Sequence, residues 1–160
     1  MSKQLDNGFV LGDTLVIDPY GKDLVMHGHI ACMGDIIVRV FKILECSGAD
    51  SADPLVRTVE YAYNVWLYGA NNIFRYDNQH RGGLGAHLDG HHKHEFDWRT
   101  GVQTGEPKWV GENWPTLGEV LSEAHDWHTR HYSEIPCPHC EPDLSQMPSA
   151  LEKPPPRPLS

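Results

Sequence analysis

Residues 57–68, RTVEYAYNVWLY, constrain the fold more than any other stretch of the chain. Val59, Tyr61, Tyr63, Val65 and Leu67 take every second position, with Thr58, Glu60, Ala62 and Asn64 between them. Side chains of a strand alternate between its two faces, so this period of two specifies a half-buried β-strand. Such a strand leaves its backbone donors and acceptors unmet until neighbours pair with it. The adjoining sequence supplies them. Residues 35–45 (DIIVRVFKILE) place Ile37, Phe41 and Ile43 on one face and Val38 and Val40 on the other, the pattern of a central strand. Residues 47–54 read as a loop. Residues 69–72 (GANN) tolerate positive φ and suit a hairpin turn, after which 73–77 return as a partner strand.

Upstream, residues 15–17 and 25–30 are short β-prone runs around the turn PYGK at 19–22. Downstream, His92 and His94 alternate with Phe96 and Trp98 and would share a strand face. The turn-rich segment after it is expected to wrap the sheet, anchored by Trp109 and Trp114. Thr116 and Glu119 then form a T-x-x-E capping box. Leu117, Val120, Leu121, Ala124, Trp127 and His131 follow helical spacing, and Pro136 ends the helix. From Glu141 the chain is rich in proline, which predicts a disordered tail over 141–160 behind a single domain over 1–140. The expected class is α+β: an antiparallel meander of about five or six strands with one C-terminal helix packed on it.

Composition narrows the function classes. The net charge is −9, yet residues 71–110 are neutral overall while the flanking regions carry −4 and −5. This balance argues against a protein that coats DNA through many phosphate contacts, and it leaves room for a small nuclease site. No run of about 18 apolar residues suggests a membrane span. The N-terminus lacks a basic stretch followed by an apolar one, so a cytoplasmic location is the expectation. Cys32, Cys46, Cys137 and Cys140 are then reduced thiols.

The least acidic region also holds five of the eleven histidines within fifteen residues: His80, His87, His91, His92 and His94. Arg75, Asp77, Asn78 and Lys93 stand among them. Imidazole titrates near neutrality and also binds metals. Three readings compete. Two histidines as acid and base, with Arg75 or Lys93 on the phosphate, suffice for RNA cleavage by internal attack and require no metal cofactor. His92 and His94, with His80 or His87 and Asp77, can instead form a metal site with an open position. Third, these are histidines of a polar loop with no chemistry. Arg75 and Asp77 share one strand face and also fit a surface ion pair. Asn78 also fits an Asx turn that ends the strand.

The run N-x-I-x-RYDN-x-H followed by HHKH resembles the TumE-like toxins of prokaryotic toxin–antitoxin modules. The matching residues are Tyr61 and Tyr63, then Arg75, Tyr76, Asp77, Asn78 and His80, then His91, His92, Lys93 and His94. The similarity covers roughly residues 30–98. It implies a small cytoplasmic α+β toxin neutralised by a cognate antitoxin protein, with RNA as the natural substrate. The resulting expectation places catalysis on His80 with one of His91, His92 or His94, oriented by Asp77, and substrate binding on Arg75, Lys93 and Asn78. The alternatives are a metal-dependent phosphoesterase on the same residues and a non-enzymatic module that binds protein or nucleic acid.

A second constellation, His128, His131, Cys137 and Cys140, reads H-x2-H-x5-C-x2-C and offers four ligands for a structural zinc at the helix end. His139 is a competing ligand. CPHC also matches a thioredoxin-type redox motif, but no βαβ context precedes it.

Overall fold

The computed structural model describes residues 8–48, 55–78, 90–135 and 143–147. Eight strands form one antiparallel sheet: β1 (Val10–Asp13), β2 (Val16–Tyr20), β3 (Asp23–Cys32), β4 (Ile36–Ser47), β5 (Leu55–Leu67), β6 (Asn72–Asp77), β7 (His92–Glu95) and β8 (Lys108–Trp109). The spatial order is β1-β3-β4-β5-β6-β7-β8, and β2 also pairs with β3. Among the described residues a single α-helix, α1 (Leu117–His131), packs on the sheet. The α+β meander with one C-terminal helix is therefore the observed fold. Its strands outnumber the expected five or six because β1 and β8 are edge pieces of 4 and 2 residues, too short to show a period.

Alternation along β5 sorts the sheet into two faces. Tyr61, Tyr63, Val65 and Leu67 are buried, and they join Val38 and Val40 of β4, Phe74 of β6 and Val120, Leu121, Ala124 and Trp127 of α1 in one core. Val59 has the same parity but is 39% exposed, at the point where the β4–β5 register shifts and skips it. Among the described residues no helix is long and apolar enough to cross a membrane.

Local signals close the fold at its ends. Thr116 accepts a hydrogen bond from the Glu119 amide, and the Glu119 carboxylate accepts from the Thr116 amide at 2.7 Å. Both arms of the capping box are present. On β3, Gly28 has φ +146°, and a Cβ there would lie 2.6 Å from the Thr14 carbonyl oxygen. Glycine is needed where β1 hands over to β2 along the β3 edge.

Two expectations fail on burial and direction. Trp109 is 59% exposed, at the sheet edge, while Trp114 packs against Tyr61 and His91. Trp98 does not share the face of His92 and His94. The strand ends at Glu95, the Asp97 side chain accepts from the Arg99 amide in a tight turn, and Trp98 swings onto Trp127 of α1. Within the expected tail, Leu144–Gln146 form a 3-10 turn capped by Asp143.

Thr116→Ala removes the cap and is expected to lower the unfolding free energy by about 1 kcal/mol. Trp127→Ala, which empties the helix–sheet contact, is expected to cost about 3–5 kcal/mol. Urea unfolding of the two variants measures both, and a Trp127→Ala loss no larger than that of Thr116→Ala would mean that α1 is not seated on the sheet as described.

Candidate functional site

The sheet face turned away from α1 carries the histidine centre. Antiparallel register sets Arg75 of β6 opposite His94 of β7, and Asp77 opposite His92. Opposed residues project from the same face, so these four side chains meet. Arg75 Nε donates to Asp77 Oδ2 at 2.6 Å. His92 Nε2 lies 2.9 Å from Asp77 Oδ1, and His94 Nε2 lies 3.8 Å from Asp77 Oδ2. Arg75 Nη2 donates to His94 Nε2 at 3.3 Å. The two imidazoles meet edge to face with centroids 4.8 Å apart. Asp77 and His94 are 3% and 2% exposed, so the Arg75–Asp77 contact is not a surface ion pair.

Gln103 fixes the tautomer of His94. Its carbonyl oxygen lies 3.0 Å from His94 Nδ1 and accepts, so the proton sits on Nδ1 and the Nε2 lone pair faces the centre. No sequence signal marked Gln103. It belongs to the turn-rich segment and is placed by an isolated bridge to Phe96.

Charge states follow from the surroundings. Burial pushes the Asp77 carboxyl up, but the hydrogen bond from His92 and the charges of Arg75, His92 and His94 more than offset this, leaving it below the ordinary carboxylate value. It is a buried anion. Burial is the main cause that brings His94 down from 6.5 to about 4, helped by Arg75 and opposed by Gln103 and Asp77. His94 is neutral at pH 7.

The remaining expected site residues lie elsewhere. Lys93 sits between His92 and His94 in sequence, so strand alternation turns it to the helix side. There it contacts Glu95 at 2.9 Å and Glu123 of α1 at 2.5 Å. Burial lowers its pKa, but these two carboxylates more than reverse that and hold it firmly charged. Tyr76 donates to the same Glu123 at 2.7 Å. His91 also faces the helix side, where its Nδ1 is 3.3 Å from the Tyr61 hydroxyl. Asn78 accepts from the Tyr61 amide at 2.8 Å and donates to the Val59 carbonyl at 3.1 Å. Its amide thereby continues the β5 ladder one step beyond β6. His80 and His87 lie outside the described residues.

Asp77, His92 and His94 each offer one ligand atom, all within 4.8 Å of one another, so this group can hold a metal ion. The donor chemistry fits: an anionic carboxylate, plus a neutral imidazole whose far nitrogen is held by a polar partner. Among the described residues it is the one such group. Of the second constellation, Cys137 and Cys140 lie outside the described residues. His128 is buried against Gly34, whose added Cβ would meet its ring at 2.6 Å, and His131 stacks on Trp127 and contacts Glu134 at 3.2 Å.

His94 predicts an acid-labile fold. Its folded pKa is depressed, so the unfolded chain takes up its proton first as pH falls. Its contribution is full above pH 6.5 and is lost as pH drops through about 4. His29, also lowered by burial, acts in the same direction. His94→Gln is expected to flatten the pH dependence of the unfolding free energy between these limits by roughly 2–3 kcal/mol. Urea unfolding at stepped pH reads this directly, and equal slopes for both proteins would contradict the neutral, buried His94.

No protein-family profile, curated protein or solved structure matches the chain.

Proposed function

We propose that the chain is a toxin-like, RNA-cleaving enzyme of a toxin–antitoxin module, with Asp77, His92, His94 and Arg75 as its catalytic centre. One observation carries this reading: a single buried carboxylate takes both Arg75 and His92, and the His94 lone pair is turned toward the same group. The centre thus holds one neutral imidazole, a second imidazole oriented by an anion and a permanent cation. Cleavage by internal attack uses those parts. His94 Nε2 takes the 2′-hydroxyl proton, and the 2′-oxygen attacks the adjacent phosphorus. The bond from phosphorus to the 5′-oxygen breaks, and His92, acting as an imidazolium, gives its own proton to that oxygen, so the pair ends with its protonation states exchanged. Arg75 binds the phosphate and offsets the charge that develops on it. A bound phosphate also cancels the Arg75 charge that disfavours protonation of His94, so substrate binding strengthens the base. The RYDN and HHKH likeness to TumE-like toxins supports this reading and brings with it a cytoplasmic setting and an antitoxin protein partner.

A metal-dependent phosphoesterase is the second reading, favoured by the convergence of Asp77, His92 and His94. Those three would be the ligands of a divalent ion, which would activate a water for attack on phosphorus. Arg75 weighs against it. A guanidinium already donates to Asp77 Oδ2 and His94 Nε2, on two of the three prospective ligand residues, and would repel the ion.

Purified full-length protein incubated with single-stranded RNA separates the readings. The expected products carry 2′,3′-cyclic phosphate ends, and EDTA leaves the rate unchanged. Asp77→Asn, His92→Ala and His94→Ala each slow cleavage about 10²–10⁴-fold. Loss of activity in EDTA, restored by Zn²⁺ or Mn²⁺, would replace the first reading with the second. Growth arrest on induced expression that survives the His92→Ala/His94→Ala double change in folded protein would point to a non-enzymatic binding module.

A further inference from the structure

A second set of polar groups stands in register with the centre. His29 of β3 opposes Arg39 of β4, Arg39 opposes Asn64 of β5, and Asn64 opposes Arg75 of β6, which opposes His94 of β7. They form one row across five strands on the face turned away from α1. The adjoining rows contribute Trp66, opposite Ile37, and Phe41, opposite Ala62. Arg39, Asn64, Trp66 and Phe41 are each partly exposed. In a chain of net charge −9, the row gathers two arginines and two histidines and flanks them with aromatic rings.

The floor of the row is polar and incompletely satisfied. His29 is 4% exposed and meets the Trp66 ring edge to face at 5.9 Å, yet its Nε2 has no hydrogen-bond partner among the described residues. Asn64 Nδ2 donates to Asn72 Oδ1 at 3.0 Å, while Asn64 Oδ1 is buried without a partner among the described residues. An unsatisfied buried polar atom is unfavourable, and a small side-chain shift would let it bond a ligand. Scale matters too. Strands lie about 4.8 Å apart, so Arg39 and His94 are separated by about 14 Å across the sheet, more than one nucleotide occupies. Basic side chains interleaved with aromatic rings suit single-stranded nucleic acid, whose phosphates meet the cations while its bases stack on the rings.

We propose that His29, Arg39, Asn64 and Trp66 form a subsite for single-stranded nucleic acid, in which Arg39 binds the phosphate next to the scissile one and Trp66 stacks the attached base. This rests on the reading of the neighbouring centre as phosphodiester-cleaving. It implies that the strand lies across β4, β5 and β6, and that mononucleotides are poor ligands.

The test uses the full chain and a fluorescein-labelled oligothymidylate, which lacks the 2′-hydroxyl and is not cleaved by internal attack. Fluorescence anisotropy over a salt series gives the affinity and its salt slope. Two bound phosphates predict a slope of log affinity against log salt of about −1.4 for the wild type, and Arg39→Gln should weaken binding and reduce the slope by about 0.7. Arg39→Lys should restore the slope, and Trp66→Ala should weaken binding roughly tenfold. Unchanged affinity and slope in folded Arg39→Gln overturn the subsite, as does a wild type that does not bind. If Arg39→Gln does not fold, the wild-type slope decides: about −1.4 or steeper supports two phosphates, and about −0.7 or shallower overturns them. Arg39-dependent binding without any RNA cleavage would remove only the catalytic reading. Cleavage with a one-phosphate slope would remove only the subsite.

Discussion

A sheet covered by one helix on one face must put its apolar residues on that side, and β5 enforces this residue by residue. Tyr61, Tyr63, Val65 and Leu67 go under α1, so Ala62, Asn64 and Trp66 must go the other way. Pairing carries the same choice to β4 and β6, and from β6 to β7. The parity that buries Phe74 therefore also sends Arg75 and Asp77 to the face turned away from α1, where His92 and His94 await them. A slip of one residue between β6 and β7 would place Lys93 beside Asp77 and drive the histidines into the apolar core. Core formation and site assembly are a single event in this fold.

On the polar face, Asp77 sets the balance. A lone carboxylate at 3% exposure would be too costly to keep ionised. It is kept so by Arg75 at 2.6 Å and His92 at 2.9 Å, and its charge in turn justifies a guanidinium in that place. Removing Arg75 leaves an uncompensated buried carboxylate, which is more damaging than the absence of the whole group. The arrangement is therefore poor value as a stabiliser, since an apolar patch of the same volume would serve at least as well. That imbalance is what a functional role accounts for. The mirror case is Lys93, whose contacts with Glu95 and Glu123 bind β7 to α1 and have an evident structural use.

Much of this was readable in the residues. The period of two in residues 57–68 located the core strand, the T-x-x-E box located the helix start, and the pairing of Arg75 with Asp77 on one face followed from alternation alone. Alternation also divides HHKH, because Lys93 cannot share a face with its two neighbours. The motif as a string hides this, and the expectation that placed Lys93 with Arg75 on the substrate took the string at face value. Gln103 was not legible, since its position depends on a turn at Asp97 and a bridge to Phe96. The row from His29 to His94 draws on five strands, and no linear pattern reports cross-strand register over that distance. Trp98 and Trp109 were misjudged because an aromatic in a turn-rich segment gives no indication of which way the turn will aim it.

Asn78 and His91 bracket residues 79–89, and both are tied to Tyr61: Asn78 through the Tyr61 amide, and His91 through the Tyr61 hydroxyl. The sheet thus holds Asn78 and His91 against the same residue. Closing a chain between fixed ends depends only weakly on length, about 0.6 kcal/mol for each doubling. A connection whose ends are held in this way can change in length at little cost to the scaffold. Asp77, His92 and His94 are set in paired strands, where a change of length would shift the register that assembles them.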